Sequence, residues 1–98
     1  MFIVLLKFSS NKGRAGDWMA GHKQWLQRGF DDGVFLLAGS MQPNQGGAVL
    51  AHRTSLLALQ ERVHSDPFVV HDVVSAEVIE ITPSRIDERL QSLLAQPQ

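Results

Sequence analysis

The hydrophobic pattern of the chain begins with a short β-branched and aromatic run at residues 2–8, and turn-forming residues follow it at 9–13. This pattern predicts a first strand and a loop. The strand side that includes Phe2 and the side that includes Ile3 are equally apolar. A strand of this kind has to be covered on both faces.

A first helix is predicted over about residues 17–28, where apolar side chains recur at helical spacing. Gly29 stands where a C-terminal cap is expected. His22 falls on the same stripe as Trp18 and Leu26, one helical turn from each. The pattern therefore points an ionisable imidazole toward the interior.

The rest of the chain predicts three more strands and two more helices. They are a strand at 34–38 ended by Gly39, a hairpin partner at 48–52, a helix capped by Thr54 or Ser55, a strand at 73–81 and a helix from Thr82-Pro83-Ser84 onward. Asp66-Pro67-Phe68 interrupts the second helix, because proline disfavours helical geometry in the residue before it. Ser84 and Asp87 are spaced as a weak capping box.

The predicted order β-α-β-β-α-β is that of a ferredoxin-like α+β fold with an antiparallel four-stranded sheet. We expect one domain over residues 1–98, with residues 83–98 as a C-terminal helical extension. Both main helices would cover one face of the sheet and leave the other face, which is also apolar, exposed to solvent. An exposed apolar surface of this kind is typical of a protein–protein interface. The sequence thus predicts a homodimer in which two sheets pack face to face as a dimeric α/β barrel.

Composition narrows the range of functions. The chain has 98 residues, nine Lys plus Arg, ten Asp plus Glu and no cysteine. This length suits one domain, and the lack of cysteine excludes disulfides, thiolate metal sites and a cysteine nucleophile. A formal net charge of −1 offers no basic surface for nucleic acid.

The opening apolar run stops at Lys7 and is too short to cross a bilayer. No signal-peptide cleavage site follows it, so we expect a cytoplasmic protein with no membrane partner.

His22 and Asp66 are the candidate catalytic residues. Histidine exchanges a proton near neutral pH, and a carboxylate or carbonyl usually fixes its tautomer. Each residue also has a structural interpretation, His22 as a satisfied core histidine and Asp66 as the cap of a turn. The group His64, Asp66, His71 and Asp72 matches no metal-ligand spacing, so no metal is predicted. The sequence also has no nucleotide-binding motif and no serine-hydrolase motif. His52 is interpreted as a surface residue at a strand end.

Several features resemble the YciI-like family over most of residues 1–83. In chain order they are His22 in an amphipathic helix, Gly33-x-x-Leu36-Leu37-Ala38-Gly39-Ser40, Gly46-Gly47 and Asp66-Pro67-Phe68. That family has a ferredoxin-like fold, forms dimers and is related to muconolactone isomerase, and a related chlorinated-hydroquinone dehydrochlorinase uses a His–Asp pair. The resemblance implies that His22 and Asp66 form such a dyad. Two departures are Ser40, where the family often has proline, and the helical tail.

The resulting prediction is a cofactor-independent small-molecule enzyme. His22, oriented by Asp66, would abstract a proton, leading to isomerisation or dehydrochlorination of a lactone or hydroxyquinol-type compound. Ser40 would place a hydroxyl at the pocket mouth, and Arg14 could hold the carboxylate of an anionic ligand or be a solvated loop residue. The alternative is a non-catalytic ligand-binding or dimeric assembly module in which His22 and Asp66 are a structural pair.

Overall fold

The computed structural model of the protein describes residues 1–94 and contains four strands and four α-helices. A short 3₁₀ turn at Lys12–Arg14 precedes the first helix. The elements in chain order are β1 (Phe2–Phe8), α1 (Ala15–Asp31), β2 (Phe35–Met41), β3 (Gly46–Ala51), α2 (Leu56–His64), α3 (Pro67–Val70), β4 (Val74–Glu80) and α4 (Glu88–Leu94).

The four strands form one antiparallel sheet in the order β2-β3-β1-β4. This order, with α1 and α2 as the two long connections, is the ferredoxin-like α+β fold that the sequence predicts. Burial alternates along β1: Phe2, Val4 and Leu6 are buried, whereas the residues between them are only partly buried. The period of two separates an inner face, which carries Phe2, Val4 and Leu6, from an outer face.

The inner face carries the core, and the helices pack on it. Val4 and Val49 contribute from the sheet, and Trp25, Leu59 and Phe68 contribute from α1, α2 and α3; all belong to one buried cluster. Burying side chains of this size stabilises the fold by about 1.5–3 kcal/mol each. The packing fixes α1 and α3 side by side above the sheet.

The outer face is also apolar. The strand registers align Leu37, Leu50, Ile3 and Ile79 in one row across the sheet. Leu37 is 60% exposed and Ile79 is 39% exposed. The face turned away from the helices therefore presents a row of large apolar side chains to solvent.

Gly29 is not the helix cap that the sequence suggests. The helix continues through Gly29 to Asp31, and Gly29 is buried within it. A β-carbon at Gly29 would collide with the ring of Phe35. Glycine is needed there because β2 crosses closely beneath the helix, and the left-handed glycine of this turn is Gly33, with φ of 73°.

The hairpin between β2 and β3 is tighter than predicted. The strand does not end at Gly39 but runs on to Met41, and β3 begins at Gly46 instead of residue 48. Gly46 has φ of 114°, and a β-carbon on it would collide with the carbonyl oxygen of Leu6. β2 and β3 thus stay paired as far as Met41 and Gly46, in a segment whose glycine and polar residues are typical of a loop.

The last helix starts later than the sequence suggests. Ser55 caps α2 as predicted, with its side chain accepting a hydrogen bond from the Ala58 amide at 3.1 Å. The expected capping box from Ser84 is absent, and α4 begins at Glu88. Asp87 instead accepts a hydrogen bond from the Arg89 amide at 2.9 Å. The final part of the predicted extension, residues 95–98, lies outside the described residues.

No helix within residues 1–94 is both long enough and apolar enough to cross a membrane.

Candidate functional site

His22 on α1 and Asp66, just before α3, are brought together by the fold. His22 Nδ1 lies 2.8 Å from Asp66 Oδ1, and the two residues are 44 positions apart in the chain. The side chain of Asp66 is fully buried, whereas that of His22 is 13% exposed. The imidazole thus lies between a buried carboxylate and a small opening.

The sequence around Asp66 explains its position. Pro67 at the start of α3 keeps Asp66 in an extended conformation, with φ of −64° and ψ of 123°. In this conformation Asp66 Oδ1 also accepts a hydrogen bond from the Phe68 amide at 3.0 Å. Asp66 therefore caps α3 and holds His22 with the same oxygen. Oδ2 is buried and has no hydrogen-bond partner among the described residues.

Two aromatic rings hold the His22 imidazole in place. The Phe68 ring stacks on it with centroids 4.1 Å apart and planes 5° from parallel. The ring of Trp25, one helical turn further along α1, lies 5.8 Å away, and its indole N–H donates to the Arg62 carbonyl at 2.8 Å. Stacking and the hydrogen bond to Asp66 together fix the ring plane.

Gly21 allows α1 and α3 to approach closely. A β-carbon on Gly21 would lie 3.0 Å from Cγ of Pro67. A larger residue at position 21 would push α3 away from α1, and with it Asp66 away from His22. The tripeptide Asp66-Pro67-Phe68 thus meets α1 with each of its three side chains.

A cavity of about 380 Å³ opens beside His22, between α1 and the inner face of the sheet. We call it the His22 cavity. Its volume falls in the range usual for small-molecule sites. The residues that line it are Leu6, Phe8, Ala15, Met19, His22, Lys23, Leu26, Ala38, Gly39, Ser40, Gly46, Gly47, Ala48, Val49, Phe68 and Val74.

The two predicted substrate-binding residues lie in different places. Ser40 is exposed near the end of β2 and lines the His22 cavity. Arg14 is exposed, and its Nε donates to Asp17 at 2.7 Å. Arg14 lines a second cavity of about 320 Å³ together with Trp18 and His71. The structure therefore does not bring Arg14 to His22.

Lys23 and Met19 line the His22 cavity but were not singled out from the sequence. The cavity-facing side of α1 includes Ala15, Met19, His22 and Leu26, a stripe with i, i+4, i+7 and i+11 spacing. The sequence prediction places His22 on a stripe with Trp18 and Leu26. A helical wheel drawn instead along the stripe that contains Ala15 would have included Met19 beside His22. Lys23 gives no such signal, because an exposed lysine beside the stripe has the sequence pattern of an ordinary surface residue.

The other histidines lie in different surroundings. His52 is buried rather than at the surface, with 7% of its area exposed. Desolvation lowers the pKa of His52, and a hydrogen bond with the backbone of Gly33 offsets this in part. His71 stacks on Trp18, and His64 is exposed at the end of α2. Among residues 1–94, no group of three or more histidine, cysteine or acidic side chains could hold a metal ion.

Comparisons with known proteins agree with this architecture. No family model and no curated protein sequence matches the chain. A solved structure of 5-chloro-2-hydroxyhydroquinone dehydrochlorinase from Burkholderia phenoliruptrix AC1100, in complex with 2,5-dihydroxybenzoquinone, superimposes with a TM-score of 0.67. The alignment covers 84% of this chain and 94% of that one at 14% identity. The similarity shows a shared ferredoxin-like α+β fold.

Proposed function

We propose that this protein is a YciI-like small-molecule enzyme in which His22 and Asp66 form a catalytic dyad. The observation that carries the proposal is the 2.8 Å contact between His22 Nδ1 and Asp66 Oδ1 at the wall of a cavity of about 380 Å³. A histidine oriented by a buried carboxylate beside an apolar cavity is an arrangement typical of a general base.

The hydrogen bond assigns the roles of the two imidazole nitrogens. Nδ1–H of His22 donates to the Asp66 carboxylate, which leaves the lone pair of Nε2 available to accept a proton. Nδ1, and not Nε2, is the ring nitrogen that contacts Asp66. Asp66 then stabilises the imidazolium that forms during proton transfer.

The reaction proposed for this site is proton abstraction followed by isomerisation or loss of a leaving group. His22 Nε2 takes a proton from a carbon or hydroxyl acidified by a ring carbonyl. In dehydrochlorination, the electron pair of the broken bond moves through the ring system and chloride leaves, and the proton passes from His22 to solvent. In isomerisation, the pair shifts a double bond toward the ring carbonyl, and His22 returns the proton to another carbon of the ring. Because the carbonyl of a lactone, or of the keto tautomer of a hydroxyquinol, accepts the charge, no cofactor is required. The Ser40 hydroxyl, which lines the same cavity, is proposed to bind a ring oxygen.

The proposed substrate class is a lactone or hydroxyquinol-type ring compound. The fold neighbour is a dehydrochlorinase bound to 2,5-dihydroxybenzoquinone, a flat ring carrying several oxygen atoms. A molecule of that size suits the volume and the mainly apolar lining of the His22 cavity.

The experiment compares His22→Gln with His64→Gln. Glutamine at position 22 can still donate a hydrogen bond toward Asp66 but cannot act as a base, and His64 is an exposed histidine away from the cavity. Turnover of chlorinated hydroxyquinols and lactones should fall by about 100-fold or more in His22→Gln and stay unchanged in His64→Gln. Full turnover in His22→Gln, or no turnover by the wild type across the panel, would contradict the proposal.

A structural role of the pair is the second candidate function. It is favoured by the complete burial of Asp66 and by the way the pair ties α1 to α3. In that case the protein is a ligand-binding or assembly module. His22→Gln would then change thermal stability alone, while the wild type would bind ring compounds without converting them.

We also propose that the protein is a homodimer joined through the outer face of its sheet. The row of Leu37, Leu50, Ile3 and Ile79 gives each copy an apolar surface that a second sheet would cover. Sedimentation equilibrium should give about twice the mass of 10.9 kDa, and Leu37→Glu should shift the protein toward monomer. A wild type that stays monomeric at micromolar concentration would exclude this assembly.

A further inference from the structure

Lys23 adds a positively charged side chain to the lining of the His22 cavity, and the proposed reaction gives it no role. Lys23 follows His22 on α1, is exposed, and lines the cavity. Its ammonium group has no ion-pair partner in the part of the chain that the structure describes. An ammonium in this position is available to a ligand.

The ionisable side chains that line the cavity are all basic. They are His22 and Lys23, and no aspartate or glutamate belongs to the lining residues. Asp66, the nearest carboxylate to His22, is fully buried behind the imidazole and does not reach the cavity surface. A ligand in the cavity can therefore contact the Lys23 side chain directly, whereas the imidazole of His22 separates it from the Asp66 carboxylate.

The remaining lining suits a ring. Large apolar side chains such as Phe8, Met19 and Phe68 make up much of the wall, and Gly39 and Gly47 leave backbone without side chains on the sheet side. An apolar site with one or two fixed polar groups at its edge selects ligands that have an apolar body and a polar end.

We propose that Lys23 is a specificity-determining residue that makes the His22 cavity selective for small aromatic anions, phenolates or carboxylates, over neutral rings of the same shape. This inference rests on the proposed function and deepens it by naming the charge of the substrate. It gives Lys23 the anion-binding role for which the sequence suggested Arg14, which lines the other cavity.

The selectivity comes from attraction between opposite charges at the cavity mouth. Because Lys23 is exposed, solvent screens the attraction, and we expect a preference of about tenfold, equivalent to about 1.4 kcal/mol. Screening also makes the preference sensitive to salt. A neutral ligand should show little change with either Lys23 or ionic strength.

The test measures binding of 4-hydroxybenzoate and 4-hydroxybenzamide, which have similar shapes but different charges at neutral pH, by isothermal titration calorimetry. Wild type should bind the benzoate about tenfold more tightly. Lys23→Met should remove this preference, and Lys23→Arg should keep it. Arg28→Met, which removes the same charge from an exposed position of α1 outside both cavities, should leave it unchanged.

Three outcomes would overturn the inference. They are equal binding of the two compounds by wild type, an equal loss in Arg28→Met and Lys23→Met, and no binding of either compound. The result is separate from that of the catalytic proposal. If charge selectivity depends on Lys23 but no compound is turned over, the Lys23 proposal stands and the catalytic proposal is rejected. If compounds are turned over without that selectivity, the catalytic proposal stands and the Lys23 proposal is rejected.

Discussion

Two poorly exposed histidines occupy different regions of this molecule. His22 lies against a buried carboxylate and lines a cavity of about 380 Å³. His52, at the end of β3, is 7% exposed and lines neither of the two cavities described above. Burial lowers the pKa of His52, which favours its neutral form. The contrast teaches that burial alone does not make a histidine a candidate base; a carboxylate on one nitrogen and open space beside the ring are also needed.

The largest effect should come from removing the carboxylate that distinguishes His22 from His52. Asp66→Ala leaves the Phe68 amide and His22 Nδ1 without their acceptor in a buried site. We expect a loss of about 3 kcal/mol and a Tm lower by roughly 10–20 °C, measured by circular dichroism. Asp66→Asn, which keeps an acceptor oxygen, should lose much less. Equal losses in the two variants would show that the hydrogen bonds of Asp66 are unimportant.

A second experiment removes the open space instead. Ala38 is exposed on β2 and lines the His22 cavity, so Ala38→Phe should fill it without disturbing the core. Binding of 4-hydroxybenzoate should weaken by more than about tenfold, or 1.4 kcal/mol, with Tm almost unchanged. Undiminished binding would place the ligand elsewhere on the protein.

A third experiment alters the distance within the pair. Gly21→Ala inserts a methyl group 3.0 Å from Cγ of Pro67 and should move Asp66 away from His22. Turnover should fall by about tenfold, since a misplaced base is a weaker catalyst. The matched control is Gly16→Ala in the same helix, where a β-carbon meets nothing within 4 Å; it should raise stability by up to about 1 kcal/mol. If both variants behave like the wild type in turnover, the spacing of the pair is not critical.

The smallest effect concerns His52 and pH. Because burial lowers the pKa of His52 in the folded state, the unfolded chain binds a proton more readily there. The contribution of His52 to stability is therefore fully present above its ordinary pKa of about 6.5 and is lost as pH falls below it. Between about pH 7 and about pH 5, Tm should fall more in the wild type than in His52→Gln. Parallel curves would mean that His52 titrates alike in both states.

The hydrophobic pattern was sufficient to predict the strand order along the chain and the inward direction of His22. These features depend on local periodicity, which a single sequence contains. The pairing of His22 with Asp66 followed from the motif before Pro67 and from the family resemblance. Its distance and the cavity beside it could be known only from the packing of α1 against α3.

The places where the structure differs from the expected arrangement share one physical cause, which is dependence on a neighbour distant in sequence. Gly29 fits a helix cap as well as it fits a close crossing, and only the position of Phe35 decides between them. His52, beside an arginine, has a local pattern typical of a surface position, yet it is buried. Arg14 and Lys23 both belong near α1, and the rotation of that helix about its axis determines which of them lines the His22 cavity.

The ring contacts of the two tryptophans give the protein its own optical reporters. Trp25 lies 5.8 Å from His22, and Trp18 stacks on His71 beside the second cavity. The sequence has two tryptophans and no tyrosine, so Trp18→Phe leaves a single strong fluorophore next to the candidate dyad. Its emission could follow ligand binding and proton transfer at His22 in real time, without any label attached to the protein.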